Sequence, residues 1–233
     1  MINYKKVMAI ITARGGSKRL PNKNILPLAG QPLLGWTLSA AKNSKYIDKI
    51  FVSTDSPQIA DIAASYDISI DELRPSILAS DTTRSEDVLS YTIDKFSDHI
   101  DIIVLLQPTS PLRTSSHIDE ALELFINKKA HTVISVSPCE HSPLWTNTLP
   151  VDNSLCNFIQ DKNIKRSQEL DEYFRINGAI YILDKKNFME TKKIHYSLGS
   201  YAYIMPQEDS IDIDNLIDFK LAEVLLNLKN KQC

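Results

Sequence analysis

The sequence has few cysteines and no long apolar segment. Its three cysteines, Cys139, Cys156 and Cys233, are widely spaced and odd in number, so neither a disulfide framework nor a zinc site is indicated. No window approaches the roughly 18 apolar residues that a membrane-spanning helix needs. The first apolar run ends at Thr12-Ala13-Arg14, which is too early and too charged for a secretory signal. We therefore expect a reduced, cytoplasmic protein that does not contact membranes.

The sequence also lacks an excess of positive charge. Its formal net charge is −3, whereas nucleic-acid-binding proteins usually have a basic excess. Nucleic acid is therefore not an expected partner, and any anionic ligand must be held by a local cluster of cations. Hydrophobic residues make up 43% and charged residues 24%, close to the globular average. The length of 233 residues suits one domain spanning residues 1–233.

Short apolar runs alternate with amphipathic stretches along the chain. Continuous β-branched runs predict buried strands at Val7–Thr12, Ile50–Thr54, Ile102–Leu106, Thr132–Val136, Ala179–Leu183 and Tyr201–Ile204. Helical spacing predicts helices at Leu33–Lys42, Pro57–Tyr66, Ser85–Phe96, Ser116–Lys128 and Leu216–Leu228, with Ser56, Ser85 and Ser116 as N-caps. Strands that alternate with helices imply βαβ units, so the predicted fold class is α/β with a mainly parallel sheet flanked by helices.

This alternation is interrupted between about residues 138 and 175. Pro138 and Pro143 bracket a loop, and the stretch Leu144–Tyr173 is polar without clean periodicity. It nevertheless carries apolar residues such as Trp145 and Phe158, and exposed apolar clusters usually mark contacts. We interpret the segment as an excursion from the core that forms a lid or a subunit contact, and we expect a homodimer.

The loop after the first predicted strand concentrates groups that bind phosphate. It runs from Ala13 to Asn24 and contains a pair of glycines and several cations. Ligands of open α/β sheets sit at the carboxyl ends of strands, and glycines let backbone N–H groups approach an anion. The loop matches neither the Walker A pattern nor the dinucleotide fingerprint. A solvated basic loop is the alternative, but its position after a buried strand favours phosphate binding.

Five segments, in order along the chain, resemble the signatures of the acylneuraminate cytidylyltransferases, also called CMP-sialic acid synthetases. They are Ala13–Asn24, Leu73–Pro75 with Leu78–Asp81, Leu105–Arg113, Phe174–Ile182 and Asp209–Asp214. The resemblance implies a Rossmann-like nucleotidyltransferase core, a smaller dimerisation region and a homodimer. It also implies a reaction that uses CTP and Mg²⁺ to join CMP to a nine-carbon sugar acid of the sialic acid type.

The resemblance also implies roles for individual residues. Nucleotide contacts are expected from Arg14, Gly15, Gly16, Ser17, Lys18, Lys23, Asn24, Arg74, Ser80 and Ser85. Sugar contacts are expected from Gln107, Arg166, Arg175 and Asn177. Metal binding is expected from Asp212 and Asp214, which together with Arg14, Lys18 and Lys23 form the expected catalytic set. The chain departs from the family pattern at Ser167, where an arginine is usual, so Arg166 either takes over that sugar contact or the contact is missing.

The spacing of Asp212 and Asp214 agrees with a metal role. In an extended segment, residues two positions apart point to the same side, and two carboxylates with remaining water sites suit Mg²⁺. The alternative is that Asp212 or Asp214 only caps the terminal helix. Gln107 has an amide that both donates and accepts hydrogen bonds, as a hydroxyl-rich sugar requires. Its alternative is a turn residue at the end of a strand.

Two further functional readings stay open at this point. Within the same reaction, the acceptor could be legionaminic or pseudaminic acid, while the eight-carbon 3-deoxy-manno-octulosonic acid fits the loop sequence Ser17–Asn24 less well. In another class, the chain could be a non-catalytic nucleotide-binding protein on the same fold, because fold does not dictate function. That protein would be expected to lack the carboxylates or the cations, and both sets are present.

Overall fold

The structure is a computed structural model that describes residues 1–80 and 82–231. Asp81 of the second signature and Cys233 lie outside the described residues. The described chain forms a six-stranded sheet in the order β4-β1-β5-β7-β6-β8 and a two-stranded sheet, β2-β3. The strands are β1 Val7–Thr12, β2 Pro27–Leu28, β3 Gln31–Pro32, β4 Lys49–Ser53, β5 Ile102–Leu106, β6 Thr132–Pro138, β7 Phe174–Asp184 and β8 Ser200–Ile204.

The α-helices and shorter 3₁₀ turns fill the connections between these strands. The helices are α1 Leu33–Lys42, α2 Pro57–Ser65, α3 Ser85–Phe96, α4 Ser115–Asn127, α5 Lys185–Thr191 and α6 Leu216–Asn230. The 3₁₀ turns are Lys23–Ile25, Ser76–Leu78, Pro143–Trp145, Asp161–Asn163, Ser167–Glu169 and Gln207–Asp209. None of the helices in the described residues combines the length and the apolar composition that crossing a bilayer demands.

The prediction of a mainly parallel α/β sheet is confirmed. β1 pairs in parallel with β4 and β5, and β6 pairs in parallel with β8. β7 alone among the strands of this sheet in the described residues runs antiparallel to its neighbours β5 and β6. Two predicted caps are wrong, because Ser85 is itself the first residue of α3 and α4 begins at Ser115, so that Ser116 lies inside it. Arg84 precedes α3, and Thr114 caps α4 by accepting the N–H of His117.

The sheet has apolar side chains on both faces, as buried parallel strands require. Residues at odd positions of β1, such as Ile11, pack with α1, α2 and α4 in the larger core cluster. Even positions, such as Ile10, pack on the other face in a cluster that includes residues of α3 and α5. A third cluster joins α6 to the start of α1 through Phe219 and Leu33. The ends of the central strands are therefore held by helices on both sides.

β7 is irregular where it passes the end of β5. Against β6, the register changes between the pairs Ile134↔Tyr181 and Val136↔Ile176, which marks a β-bulge. Bulges are over-represented next to active sites because they re-aim side chains. Gly178 lies inside this irregular stretch with a φ of +76°, a left-handed conformation that glycine adopts without steric cost.

The interrupted region leaves the sheet after Pro138 and returns at Phe174. Its base is closed by a hydrogen bond from the N–H of Cys139 to the carbonyl of Tyr173 (2.8 Å). Within it, the indole N–H of Trp145 donates to the carbonyl of Asn163 (3.1 Å). Four large apolar side chains of this excursion are more than half exposed: Leu149, Val151, Leu155 and Ile164.

Candidate active site

A cleft of about 550 Å³ opens at the carboxyl ends of β1 and β5. The chain runs from β1 to β4 on one side and then crosses to β5 on the other side of β1. Such a switch point is where open α/β sheets bind ligands. The cleft is lined by Thr12, Arg14, Ser17, Lys18, Arg19, Leu20, Lys23, Asn24, Arg74, Leu78, Ser80, Thr83, Ser85, Val88, Gln107, Pro108, Thr109 and Asp214. Ten of the predicted site residues thus line the cleft.

The loop after β1 is fixed by contacts within the protein. Asn24 is buried and its side-chain amide donates to the carbonyl of Arg14 (2.9 Å). The N–H of Gly15 donates to Asp55 Oδ1 (2.9 Å), so this N–H is directed to a carboxylate instead of the cleft. A Cβ on Gly15 would stand 3.0 Å from Ser56 Cβ, whereas Gly16 has no described atom within 4 Å of that position. The absence of a side chain at Gly15 therefore lets the backbone of the loop pass close to Ser56.

Cations dominate the cleft wall. Arg14, Lys18, Arg19, Lys23 and Arg74 line it, against the single lining carboxylate of Asp214. Among the described residues the cleft thus concentrates positive charge in a chain whose net charge is −3. This local imbalance favours a polyanionic ligand.

Lys23 is the most enclosed of the lysines in this wall. Its side chain is 14% exposed, and its Nζ lies 3.8 Å from Asp214 Oδ1 and donates to the carbonyl of Ile213. Burial lowers the pKa of Lys23, although Asp214 and Asp212 oppose the shift. The ammonium group has therefore lost hydration, and its contacts with Asp214 and the carbonyl of Ile213 compensate for only part of this loss. An anionic ligand would supply further stabilisation of the charge.

Arg74 forms the far wall of the cleft beside β4. It is 8% exposed, and its Nη2 donates to the carbonyl of Ser53 (2.8 Å) at the end of that strand. Burial lowers the pKa of Arg74, while Asp55 acts in the opposite direction. Within the described residues its Nε has no hydrogen-bond partner. The guanidinium is thus rigidly positioned with donor capacity left over.

Hydroxyl groups from the segment before α3 complete this side of the cleft. Ser80 exchanges a hydrogen bond with the Thr83 hydroxyl (2.7 Å), and Ser85 is the first residue of α3. A helix amino terminus presents free N–H groups and a positive partial charge. Glu86 and Asp87 in the same first turn already use part of that potential.

The carboxylate of Asp214 lines the cleft beside Arg19 and Lys23, and Asp212 lies close to it without lining the cleft. Their segment is held because the N–H of Ile213 donates to the carbonyl of Thr109 (2.8 Å), while Ile213 itself is buried. Asp214 Oδ2 pairs with Arg19 Nη1 at 2.6 Å. Removal from water raises the pKa of Asp212, and Asp214 adds to this, while a hydrogen bond from Thr109 opposes it. The two carboxylates are therefore close enough to repel each other.

Gln107 lies between these carboxylates and β7. An ideal Cβ on Gly178 would be 3.1 Å from Gln107 Oε1 and 4.0 Å from Asp212 Oδ2. Because Gly178 has no side chain, the Gln107 amide and the Asp212 carboxylate can both lie close to this point of β7. Tyr181 interacts electrostatically with Asp212 and Glu86, and burial raises the pKa of its phenol to about 12.

Several predicted residues are not part of the cleft wall. Asn177 is 2% exposed. Its side-chain carbonyl accepts a hydrogen bond from the Ser135 hydroxyl (2.6 Å), and its side-chain NH₂ donates to the Ser210 hydroxyl (2.9 Å). Arg175 is exposed, and its Nη2 reaches the carbonyl of Ser210 at 3.4 Å. Arg166 is exposed in the excursion before the turn Ser167–Glu169. Asp212 and the two glycines of the loop adjoin the cleft without lining it.

Sequence reasoning did not assign Arg19, Thr109 or Tyr181 to the site. Arg19 lies in the cationic loop, but its pairing with Asp214 spans 195 residues of sequence. Thr109 belongs to the segment Leu105–Arg113, where Gln107 drew attention because of its amide. Tyr181 reads as one of many apolar strand residues, and its electrostatic interaction with Asp212 arises only in the fold. These contacts join residues that are far apart along the chain, so no local sequence pattern indicates them.

Comparison with known proteins points to one family. A family model described as Cytidylyltransferase matches residues 8–227. An N-acylneuraminate cytidylyltransferase from Escherichia coli is 39% identical over 97% of this chain, which spans 54% of that relative. A CMP-N,N'-diacetyllegionaminic acid synthase from Legionella pneumophila is 38% identical, with 97% of this chain and 98% of that protein covered. The chain thus spans about half the length of the first relative and nearly all of the second.

A solved structure supports the fold independently of close sequence similarity. The CMP:2-keto-3-deoxy-manno-octonic acid synthetase complexed with CTP matches with a TM-score of 0.73 at 15% identity. The match covers 97% of this chain and 100% of that one. The nucleotidyltransferase fold expected from the sequence is confirmed by this likeness.

Proposed function

We propose, since this chain belongs to the cytidylyltransferase family, that it transfers CMP from CTP to the anomeric hydroxyl of a sialic acid, N-acetylneuraminate, and releases pyrophosphate. The observation that carries the proposal is the pairing of a cation-lined cleft with two carboxylates at its edge. Arg14, Lys18 and Lys23 line the cleft, and the carboxylate of Asp214, with Asp212 nearby, lies 3.8 Å from Lys23 Nζ. A nucleoside triphosphate carries about four negative charges and needs several cations.

The nucleotide is assigned to the part of the cleft between β1 and α3. Arg14, Lys18 and Lys23 bind the phosphates, and the N–H of Gly16 approaches them because its side is open. Arg74, Ser80 and Ser85 stand across the cleft and contact the rest of the nucleotide. Asn24 and Gly15 contribute by holding the loop in shape, through the carbonyl of Arg14 and the carboxylate of Asp55.

Asp212 and Asp214 fit a Mg²⁺ ion. Mg²⁺ prefers oxygen ligands and is commonly held by one or two carboxylates together with substrate phosphates and water. The described residues contain no cluster of three or more His, Cys, Asp or Glu that could hold a metal, so two carboxylates and the triphosphate are the expected donor set. Burial is the largest cause of the raised pKa of Asp212 and repulsion by Asp214 adds to it; a bound cation would relieve both effects. When bound, Mg²⁺ neutralises charge on the phosphates and the leaving pyrophosphate.

The sugar acid is assigned to the space beside Gln107 and Gly178. Gln107 donates to and accepts from sugar hydroxyls, with Gly178 of β7 beside its amide. Asn177 holds this part of β7 in place through its hydrogen bonds with Ser135 and Ser210. Arg175 stands at the outer end of β7, where an exposed guanidinium suits a sugar carboxylate. Arg166 lies in the excursion and is assigned to the acceptor side as the substitute for the arginine missing at Ser167.

The reaction is then a substitution at the α-phosphorus of CTP. The anomeric oxygen forms a bond to this phosphorus and loses its proton, while the bond from the phosphorus to the bridging oxygen breaks and pyrophosphate leaves. Catalysis of such transfers is mostly positioning and charge neutralisation. Arg14, Lys18 and Lys23 fix the triphosphate, and Gln107 orients the acceptor hydroxyl toward it.

The domain organisation belongs to the same proposal. Residues 1–233 form a single cytidylyltransferase domain, and residues 138–175 are the dimerisation or lid excursion within it. The proposed homodimer is supported by the exposed apolar side chains of that excursion, among them Val151 and Leu155. Large exposed apolar groups of this kind usually mark an interface.

Two alternatives remain for the experiment to separate. In the first, the acceptor is legionaminic or pseudaminic acid instead of N-acetylneuraminate. The name of the Legionella pneumophila relative supports this alternative. The second is a nucleotide-binding protein without catalysis. Purified protein is mixed with CTP, Mg²⁺ and each of a panel of sugar acids, and pyrophosphate release is followed. The highest kcat/KM identifies the acceptor, and a chain that binds CTP but turns over no sugar acid overturns the proposed reaction.

A further inference from the structure

Arg113 is a fully buried arginine directly behind the candidate site. It is 2% exposed, and burial lowers the pKa of its guanidinium to about 9. Its Nη1 donates to two backbone carbonyls, those of Gln107 and Ala179, at 3.1 Å each. In the described structure its Nε and Nη2 have no partner. A buried charge with unsatisfied donors costs stability, so its position calls for a compensating role.

The two carbonyls mark the point where β5 and β7 separate. The last paired residues of these strands are Leu106 and Ile180. The next pair in this register would be Gln107 and Ala179, and their carbonyls both accept the same Arg113 nitrogen. Where the backbone pairing of β5 and β7 ends, the guanidinium thus bridges the two strands and fixes the distance between them.

The gap opens directly into the acceptor side of the cleft. Beyond Ala179 lies Gly178, whose missing side chain leaves room for Gln107 Oε1 and Asp212 Oδ2. On its other side β7 is bulged against β6 in the same stretch. Regular strand pairing is thus lost on both sides of this part of β7, which side chains hold instead: Ser135 bonds Asn177 and Ile180, and Arg113 bonds the carbonyl of Ala179. Only the Arg113 bond also ties this stretch to the carbonyl of Gln107.

We propose that Arg113 is a positioning residue for the sugar acceptor, acting by clamping the carbonyls of Gln107 and Ala179 so that the Gln107 amide meets the sugar. The inference rests on the proposed function and deepens it. Arg113 itself does not touch the substrate, because its side chain is enclosed by protein. The nucleotide side of the cleft, built from the loop after β1, does not depend on this clamp.

The test is a set of variants assayed with CTP, Mg²⁺ and the best acceptor found for the wild type. Arg113→Met keeps volume and removes the charge and all donors. Replacement of a buried ionic group by a hydrophobe of similar size is often neutral for stability, so the Tm is expected to stay within about 5 °C. The kcat/KM for the sugar acid is expected to fall about 10–100-fold, as for a misplaced reacting group, while CTP affinity measured by calorimetry changes less than about twofold.

Two further variants separate positioning from general support. Arg113→Lys keeps one cationic donor and is expected to recover part of the loss. Gln107→Ala combined with Arg113→Met is expected to be no worse than Gln107→Ala alone, since residues that act through each other are non-additive. Lys185→Met is the matched control, because Lys185 Nζ also donates to a carbonyl, that of Ser97 at 2.7 Å, from the other end of β7.

The outcomes distinguish this inference from the proposed function. An inactive wild type overturns the proposed function and the inference with it. An active wild type with unchanged sugar kcat/KM in Arg113→Met overturns the inference alone. So does an unfolded Arg113→Met, an equal loss of CTP affinity, or losses that multiply in the double variant, because each assigns Arg113 a general structural role.

Discussion

Asp218 Oδ2 accepts the backbone N–H of Asp214 at 2.9 Å. It also accepts the N–H of Asn215, whose own side chain accepts the N–H groups of Ile217 and Asp218. This reciprocal capping box closes the start of α6 without the side chain of Asp214. The interpretation of Asp214 as a helix cap is therefore wrong, and its carboxylate is left facing the cleft beside Arg19.

The first prediction concerns the two proposed metal ligands. Asp212→Asn and Asp214→Asn keep the side-chain shape and remove the charge. We expect each to lower kcat about 100-fold or more, because a bound metal supplies several kcal/mol to the transition state. The Tm should not fall, because neither carboxylate caps a helix and Asp212 is relieved of an unfavourable environment. Steady-state kinetics over a Mg²⁺ series and thermal denaturation measure both effects.

Asn215→Ala is the control for this pair. It removes the cap of α6 and is expected to cost about 1 kcal/mol of stability, with kcat kept at a temperature where the protein is folded. Wild-type kcat and wild-type Mg²⁺ dependence in both Asn variants of the carboxylates would show that these residues are not metal ligands.

The second prediction concerns Lys23 and the triphosphate. Lys23→Met should weaken CTP binding about 10–100-fold, which is the range for a lost hydrogen bond to a charged group. Its stability should change little, because burial already disfavours the charged form. Lys42→Met is the control, since Lys42 forms a comparable ion pair with Asp67 at 2.9 Å outside the cleft. Equal CTP affinity in Lys23→Met and wild type, measured by calorimetry, contradicts the assignment.

The fold could be read from the sequence because its strands and helices carry strong local patterns. β1, β5, α1 and α3 have the bounds that periodicity predicts. The start of β7 was missed, since Phe174–Gly178 mixes polar and apolar residues in a bulged stretch of which only the first three residues are exposed. The antiparallel direction of β7 was also missed, because direction depends on how the excursion returns and not on local composition.

The site was partly readable for a similar reason. The cationic loop after β1 is local in sequence, so Arg14, Lys18 and Lys23 could be selected together, and the structure places all three at the cleft. Asn177 could be selected only by resemblance, and its burial against Ser135 and Ser210 was invisible in the sequence. The cost of burying a polar group is repaid by partners that are distant along the chain.

The third prediction concerns the excursion. Val151 and Leu155 are 104% and 67% exposed, which favours a subunit interface there. Val151→Asp with Leu155→Asp should convert a dimer into a monomer in analytical ultracentrifugation at micromolar concentration, because two charges are costly to bury at an interface. Leu198→Asp is the control, since Leu198 is 99% exposed outside the excursion. A wild-type monomer, or a dimer that survives the double change, contradicts the proposed interface.

The fourth prediction concerns His117, which links α4 to the segment that carries the carboxylates. Its Nε2 lies 3.6 Å from Asp209 Oδ2, and its Nδ1 accepts the N–H of Thr114. Asp209 is buried and also pairs with Lys229 of α6. The charged groups that face His117 are Asp209 and Glu120, which favour its protonation, and Lys229 and Arg113, which oppose it. Burial is the largest effect and lowers the pKa of His117.

The sign of the pH effect follows from this lowered pKa. Above the ordinary histidine pKa of about 6.5, His117 is neutral in both states and contributes no pH dependence. As the pH falls through that value, the unfolded chain takes up a proton that the folded chain does not, so stability is lost until the pH reaches the lower folded pKa. His117→Gln removes this loss and keeps the capping box of α4, since glutamine at this position also accepts the N–H of Thr114. The wild-type and variant Tm values should therefore be similar at pH 7.5, and at pH 5.5 the variant should be the more stable by a few degrees. A Tm difference that does not change between these pH values would show that His117 carries no linked proton.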